Sequence, residues 1–252
     1  GRGLPKESGL SRVYFYRALD RLGALGEDDL ATAVSHPEAI VRVHAHRLLA
    51  ESSLAAEKRE GWLLEGFKDK DSMVRRAAVQ AAASRPARSL ILPLLGLYQS
   101  TPAADVHLLH SLRISLRNHL RNDEWFRKLA TAELTEKESD LLVQLCLALK
   151  SRGAGEYIVS RLDRLARLPA SQVGEYLRFA ARYIPGESMA RVVSFAREKF
   201  EGRNDFQAEL LESIRLGVDE RGVAAPASVR GWALALARDY LEAGQDLSLI
   251  HI

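Results

Sequence analysis

Two stretches of this chain superimpose at a spacing of about 33 residues, and that register limits the fold more than any single residue does. Asp29 to Ala50 reads DLATAVSHPEAIVRVHAHRLLA, and Trp62 to Ala83 reads WLLEGFKDKDSMVRRAAVQAAA. Sliding the first onto the second sets Leu30 on Leu63, Val34 on Phe67, Val41-Arg42 on Val74-Arg75 and Ala45 on Ala78. Repetition at roughly 20–50 residues marks an array of small units, each able to bury its apolar face only against its neighbours.

The units are helical. Apolar residues recur at i, i+3, i+4 and i+7, and no segment alternates with period two. This periodicity predicts helices over 11–24, 28–34, 37–50, 56–67, 72–83, 88–99, 102–120, 123–132, 136–151, 155–168, 172–184, 187–200, 205–216 and 226–241. Ser35-His36-Pro37-Glu38 and Thr135-Glu136-Lys137-Glu138 read as capping boxes, and Thr101-Pro102 as a helix start. Pro185-Gly186 is a break, and Gly202, Gly217 and Gly222 are expected just past helix ends. Short connections make consecutive helices antiparallel neighbours. The expected fold is therefore all-α: a right-handed α-solenoid of about seven antiparallel helical pairs with no β-sheet. It is expected to run continuously over 11–244 behind a disordered or truncated lead-in at 1–10.

The blocks Asp71-Ser72-Met73-Val74-Arg75-Arg76-Ala77-Ala78 and His36-Pro37-Glu38-Ala39-Ile40-Val41-Arg42-Val43-His44-Ala45 resemble the second helix of a HEAT repeat. The family pattern is an acid or Pro turn, then Val-Arg, then Ala three residues after the Arg. The resemblance implies that the Ala permits close helix crossing and that the Arg reaches an acid of a neighbouring unit. Two units match, about a fifth of the chain. A third, at Asp105-Val106-His107, departs from the pattern, with His110 near the Ala position, and beyond Leu134 only the helical-pair rhythm persists. More finely, DVHLLHSLRISLRNHLR (Asp105 to Arg121) and LRFAARY (Leu177 to Tyr183) resemble the HEAT-rich segment of large bacterial envelope proteins. Those also carry a dehydrogenase-like β-propeller and a c-type cytochrome, which would place the parent in the periplasm or cell envelope. No Cys-x-x-Cys-His haem motif is present here.

Composition narrows the function classes. An apolar content of 47% and a charged content of 27% are those of a globular chain rather than a disordered one. The single cysteine, Cys146, excludes an intrachain disulfide framework and a Cys-based zinc site. It sits in LLVQLCLAL, where a buried small hydrophobe is expected. The longest apolar run, Leu90 to Tyr98, is interrupted by Pro93 and too short to span a bilayer. The start GRGLPKES carries no methionine, so a fragment of a longer protein is expected. The end QDLSLIHI resembles a translated adapter scar, so residues 245–252 are set aside from the fold.

Charge is distributed unevenly. The net charge is +3, and residues 1–126 hold the whole surplus, with 18 Lys+Arg against 15 Asp+Glu. Between Ser72 and Arg121 stand seven arginines and one acid, Asp105. At 100° per residue, His107, His110, Arg113, Arg117 and Arg121 fall within about 120° of one another, with Leu109, Leu112, Leu116 and Leu120 on the other side. Arg75, Arg76, His110, Arg113, Arg117 and Arg121 are thus candidates for binding an anionic partner such as phosphate, an acidic peptide or an acidic sugar. The bland alternative is a solvated face, with Arg75 used in pairing between repeats and each arginine neutralised by Asp69, Asp71, Glu38 or acids of Glu136 to Asp140.

Nothing in the sequence points to catalysis. There is no Gly-rich phosphate loop, no His-Glu-x-x-His and no Gly-x-Ser-x-Gly. The carboxylate pairs Glu136/Glu138 and Asp28/Asp29 sit at helix starts, where the macrodipole favours acids. His107 and His110 are three apart, but Asp105 falls on the leucine side, so no metal site is expected; no cofactor is expected either. Two function classes remain. One is a non-catalytic interaction or spacer module of a larger bacterial protein, bound to a protein partner or to flanking domains of its own chain. The other is a nucleic-acid-binding or DNA-glycosylase-like protein using a basic concave face. Trp62, Trp125 and Trp232 are scattered and the second half is charge-neutral, so nucleic acid is not the expected partner.

Overall fold

The computed structural model describes residues 8–52 and 54–242. Among these residues the chain is helical throughout, without a strand. The set-aside tail at 245–252 and the first seven residues of the expected lead-in lie outside the described residues. The chain divides into two compact units, Gly1–Trp125 and Phe126–Ile252.

The first unit holds α1 (Gly9–Arg21), α2 (Glu27–Val34), α3 (Ala39–Glu51), α4 (Ala56–Phe67), α5 (Ser72–Ser84), α6 (Ile91–Ser100) and α7 (Val106–Leu120). Each even-numbered helix packs on the helix that follows it. Beneath that pairing α1 packs on α3, α3 on α5, and α5 on α7. The core is the shared apolar face, with Leu30, Leu48, Leu49, Leu63, Val74, Leu94, Leu112 and Leu116 at most 2% exposed. Ala45 and Ala78 are equally buried. A Cβ on Gly66 of α4 would overlap the His46 ring of α3 and come to 2.7 Å from Ala78 Cβ of α5.

The 33-residue spacing reappears as repeated chemistry. Arg42 Nη1 donates to His36 O and Pro37 O at 2.8 and 2.9 Å, while Arg75 Nη1 donates to Asp69 O and Lys70 O at 2.8 and 3.1 Å. Each arginine ties down the turn that enters its own helix. This use of the turn corrects one expected cap. Ser35 closes α2, donating back to Ala31 O at 2.9 Å, and the His36-Pro37 turn stays non-helical with its carbonyls on Arg42. Helix α3 starts only at Ala39, and the Glu38 carboxylate accepts from Gly9 N instead of capping. Thr101 likewise closes α6 through Leu97 O at 2.6 Å, and Asp105 caps α7 through Leu108 N at 3.1 Å.

Helix α8 (Asp123–Ala130) spans the division between the units. The second unit holds α9 (Glu136–Leu149), α10 (Arg152–Ser160), α11 (Leu162–Leu165), α12 (Ala170–Tyr183), α13 (Met189–Lys199), α14 (Asn204–Asp219) and α15 (Ala227–Glu242). Helix α9 packs on α10, α10 on α12, and α12 on α14, while α13 and α14 both pack on α15. The Thr135 capping box forms, with Glu138 N donating to Thr135 Oγ1 and Thr135 N to Glu138 Oε2 at 3.3 and 2.8 Å. The helix expected over 155–168 is instead two short ones broken at Arg161, and α9 ends at Lys150 in the left-handed region with φ 51°. Gly202 and Gly222 do follow helix ends, with φ of 73° and 72°. Gly217 does not: it lies inside α14, pressed on the backbone of α12.

Buried histidines give the first unit a pH response. His46 is 2% exposed, and burial holds its pKa down at about 4 against an ordinary 6.5. The unfolded chain therefore takes up a proton between pH 6.5 and 4 that the folded chain refuses, and stability falls as pH falls through that window. Between pH 7 and 4.5 the loss from His46 is expected to be about 2–3 kcal/mol. Urea titrations of the native protein and His46→Leu at the two pH values check this, because the variant should lose markedly less on acidification.

Candidate functional site

The arginines singled out in the sequence lie on α5 and α7, which pack directly on each other. The buried face of α7 comprises Leu108, Ser111, Leu112, Ser115, Leu116, His119 and Leu120. It is rotated from the leucine stripe expected, since Leu109 is only half-buried. His119 is fully buried; its Nδ1–H donates to Ser115 O at 2.7 Å, and burial lowers its pKa, so it belongs to the core as a neutral ring. On the opposite face His107, His110, Arg113 and Arg121 are exposed and Arg117 is half-buried.

Each guanidinium has a definable state. Arg113 lies over the Tyr98 ring, 5.8 Å from its centroid, and Nη2 donates to the Tyr98 hydroxyl at 3.2 Å. The aromatic face and hydroxyl orient the group without neutralising it. Arg117 Nη2 donates to Asn118 Oδ1 at 3.3 Å, while its Nε is buried without a partner among the described residues. Arg75 and Arg76 are half-buried; Arg75 is held by backbone carbonyls alone. Among the described residues no carboxylate pairs with Arg75, Arg76, Arg113, Arg117 or Arg121.

The acids that could have neutralised them are engaged elsewhere. Asp69 takes a two-pronged bond from Arg42 Nε and Nη2 at 2.7 and 2.9 Å. Burial pushes its carboxyl up, but the hydrogen bonds from Arg42 and from Asp71 N outweigh it, so the pKa lies below the ordinary value. Asp71 caps α5 through Met73 N and Val74 N at 2.8 and 3.3 Å. Glu136 and Asp140 bind Arg164 within the second unit, at 3.7 and 2.8 Å. Arg42 has an acid one repeat on, whereas the equivalent turn beyond Arg75 reads Pro102-Ala103-Ala104 and offers none.

Along α7 the cations form a line. Asn118 Nδ2 donates to Ala83 O at 3.0 Å, which puts Arg117 beside the C-terminal end of α5. Arg75 and Arg76 lie about 12 Å back along that helix at 1.5 Å per residue. From His110 to Arg121 the cationic face of α7 extends about 16 Å. Arg113, Arg117 and Arg121 follow each other at i, i+4, where like charges oppose helix formation by about 0.2–0.5 kcal/mol per pair. An anion laid along them removes that repulsion. Tyr98, which the sequence reading did not flag, comes from α6, fifteen residues before the arginine it supports, and no local pattern links the two.

Cys146 is fully buried, and burial pushes its thiol pKa far above the ordinary range. Among the described residues no group of three His, Cys, Asp or Glu side chains is placed to hold a metal ion, and no helix is long and apolar enough to cross a membrane. No family model, curated protein or solved structure matches this chain.

Proposed function

We propose that the chain is a non-catalytic interaction or spacer module of a larger bacterial protein, a HEAT-like scaffold whose α5–α7 face binds an acidic segment of a protein partner or of a flanking domain. One observation carries the reading: the guanidinium groups of α5 and α7 have no carboxylate partner among the described residues, while Asp69 is committed to Arg42 and Asp71 to the cap of α5. The pairing of each even-numbered helix with its successor within the first unit supports the repeat-scaffold part of the reading.

The spacing suggests the ligand. Cations at i, i+4 on a helix advance about 6 Å per step, close to the roughly 6.6 Å between alternate residues of an extended strand. An extended peptide with acids at every second position would meet Arg113, Arg117 and Arg121 in succession. Charge reversal tests this. Arg113→Glu with Arg117→Glu is expected to weaken anisotropy-measured binding of a labelled alternating-glutamate peptide at least about tenfold. Arg113 is exposed and Arg117 half-buried, so circular dichroism and the melting temperature of the variant are compared with the native protein, and the single change Arg113→Glu, at the exposed site, should weaken binding without lowering the melting temperature. Unchanged binding in the double variant would leave a plain solvated face.

A further inference from the structure

A second surface of the first unit, independent of the arginine line, has the features of a docking groove. Helix α1 packs on α3 through Val13 and Tyr16 and turns the rest of its apolar side outward. Leu10 is 57% exposed, Tyr14 74% and Leu22 79%, an expensive pattern for a helix with nothing over it. These residues, at helical spacing with Ala18 between them, line a groove of about 720 Å³ that His44 of α3 closes on one side. Its length, from Leu10 to Leu22, is about 18 Å, or three helical turns.

The rim is cationic. Arg17 and Arg21 line the same groove, and Arg47 lies near enough that, after burial, its charge and that of Arg17 hold the His44 pKa below the ordinary value. Among the described residues Arg17, Arg21 and Arg47 have no carboxylate partner, and His44 Nδ1 is buried without a hydrogen bond. An apolar floor inside an uncompensated positive rim is complementary to a segment that is apolar on one face and acidic beside it. The recessed shape, with Ala18 small enough to leave room for an incoming side chain, fits a helix better than a flat bilayer.

We infer that the α1–α3 groove binds an amphipathic helix of about three turns, with leucine- or phenylalanine-type anchors against Tyr14 and Ala18 and carboxylates meeting Arg17 and Arg21. This does not rest on the acidic-strand site at α7, and the two fail separately under different substitutions.

Three labelled peptides of about eighteen residues test the inference with the full chain at about 150 mM salt. One carries leucines at helical spacing flanked by glutamates, one has the glutamates replaced by glutamine, and one keeps the glutamates but replaces leucine by serine. Only the first is expected to saturate. Arg17→Glu with Arg21→Glu, and separately Tyr14→Ser, should each weaken it at least about tenfold, whereas Arg113→Glu with Arg117→Glu should leave it unchanged. Circular dichroism of all variants should match the native protein. Equal binding of the glutamine peptide, or insensitivity to Arg17→Glu with Arg21→Glu, would overturn the inference. So would binding to phosphatidylserine vesicles without binding to the peptide, or a concentration-dependent dimer abolished by the Arg17 and Arg21 changes.

Discussion

Gly217→Val is expected to destabilise the second unit by about 3–5 kcal/mol and to lower its melting temperature by about 10 °C or more. Gly217 sits mid-helix, where glycine is a poor choice on propensity alone, so its presence calls for a steric reason. The reason is the α12–α14 crossing: a Cβ at this position would overlap Arg178 O and come within 2.9 Å of Ala181 Cβ. A backbone carbonyl cannot swing aside as a side chain can, so the two helices must separate, losing contacts among Leu177, Ala181, Ile214 and Val218, all at most 1% exposed. Gly231→Ala supplies the contrast. Gly231 lies in α15 with nothing within 4 Å of an added Cβ. That change is expected to stabilise by about 0.5–1 kcal/mol through helix propensity. Calorimetry on the two variants separates a packing role from a flexible-glycine role. If Gly217→Val melts with the native protein, the crossing is wrong.

Arg42→Ala is expected to cost about 3–5 kcal/mol, and Arg75→Ala, at the equivalent place one repeat later, less than about 1 kcal/mol. Arg42 is 7% exposed and serves two masters, the His36-Pro37 turn of its own unit and the Asp69 carboxylate of the next. Deleting it leaves a carboxylate 13% exposed with its main partner gone. A buried pair contributes little net stability beyond an apolar replacement, and most of the cost arises from the stranded partner. Arg42→Ala with Asp69→Asn should therefore lose less than the sum of the single changes. Arg75 makes the same turn contacts but strands no acid. Urea denaturation of the four variants measures this, and equal costs at Arg42 and Arg75 would contradict the asymmetry.

The same asymmetry shows how far the sequence could be read. Helical periodicity placed almost every element, because burial on one face imposes a 3.6-residue period that survives sequence variation. The match of Val41-Arg42 to Val74-Arg75 located two arginines that contact their own turns identically. Caps were less legible. Ser35 and Thr101 looked like helix starts, yet both hydroxyls reach back to carbonyls of the preceding helix, and a Ser or Thr side chain serves either direction equally well. Gly217 looked like a terminator because glycine marks both helix ends and close crossings, and only the neighbouring helix distinguishes them. The break at Arg161 and the left-handed Lys150 have no residue-type signal at all. For the α7 face, the wheel separated the cationic side from the core side. That Asp69 is taken by Arg42 depends on a contact across 27 residues, which the wheel does not show. The α1 groove was half-visible: its aromatic residues were apparent in the sequence, but their exposure was not.

The most direct measurement of the α5–α7 face is a pair of titrations with the full chain between about 50 and 200 mM salt. One ligand is the alternating-glutamate peptide and the other a duplex DNA of about 20 base pairs. An acidic-segment site contacting three or four cations should bind the peptide with a modest salt dependence and lose it on Arg113→Glu with Arg117→Glu. The duplex should bind only weakly, because the cationic line is only about 16 Å long and carries few cations. Sub-micromolar duplex binding with a log–log salt slope steeper than about −5, abolished by the same substitutions, would contradict the protein-interaction reading and make the face a nucleic-acid interface.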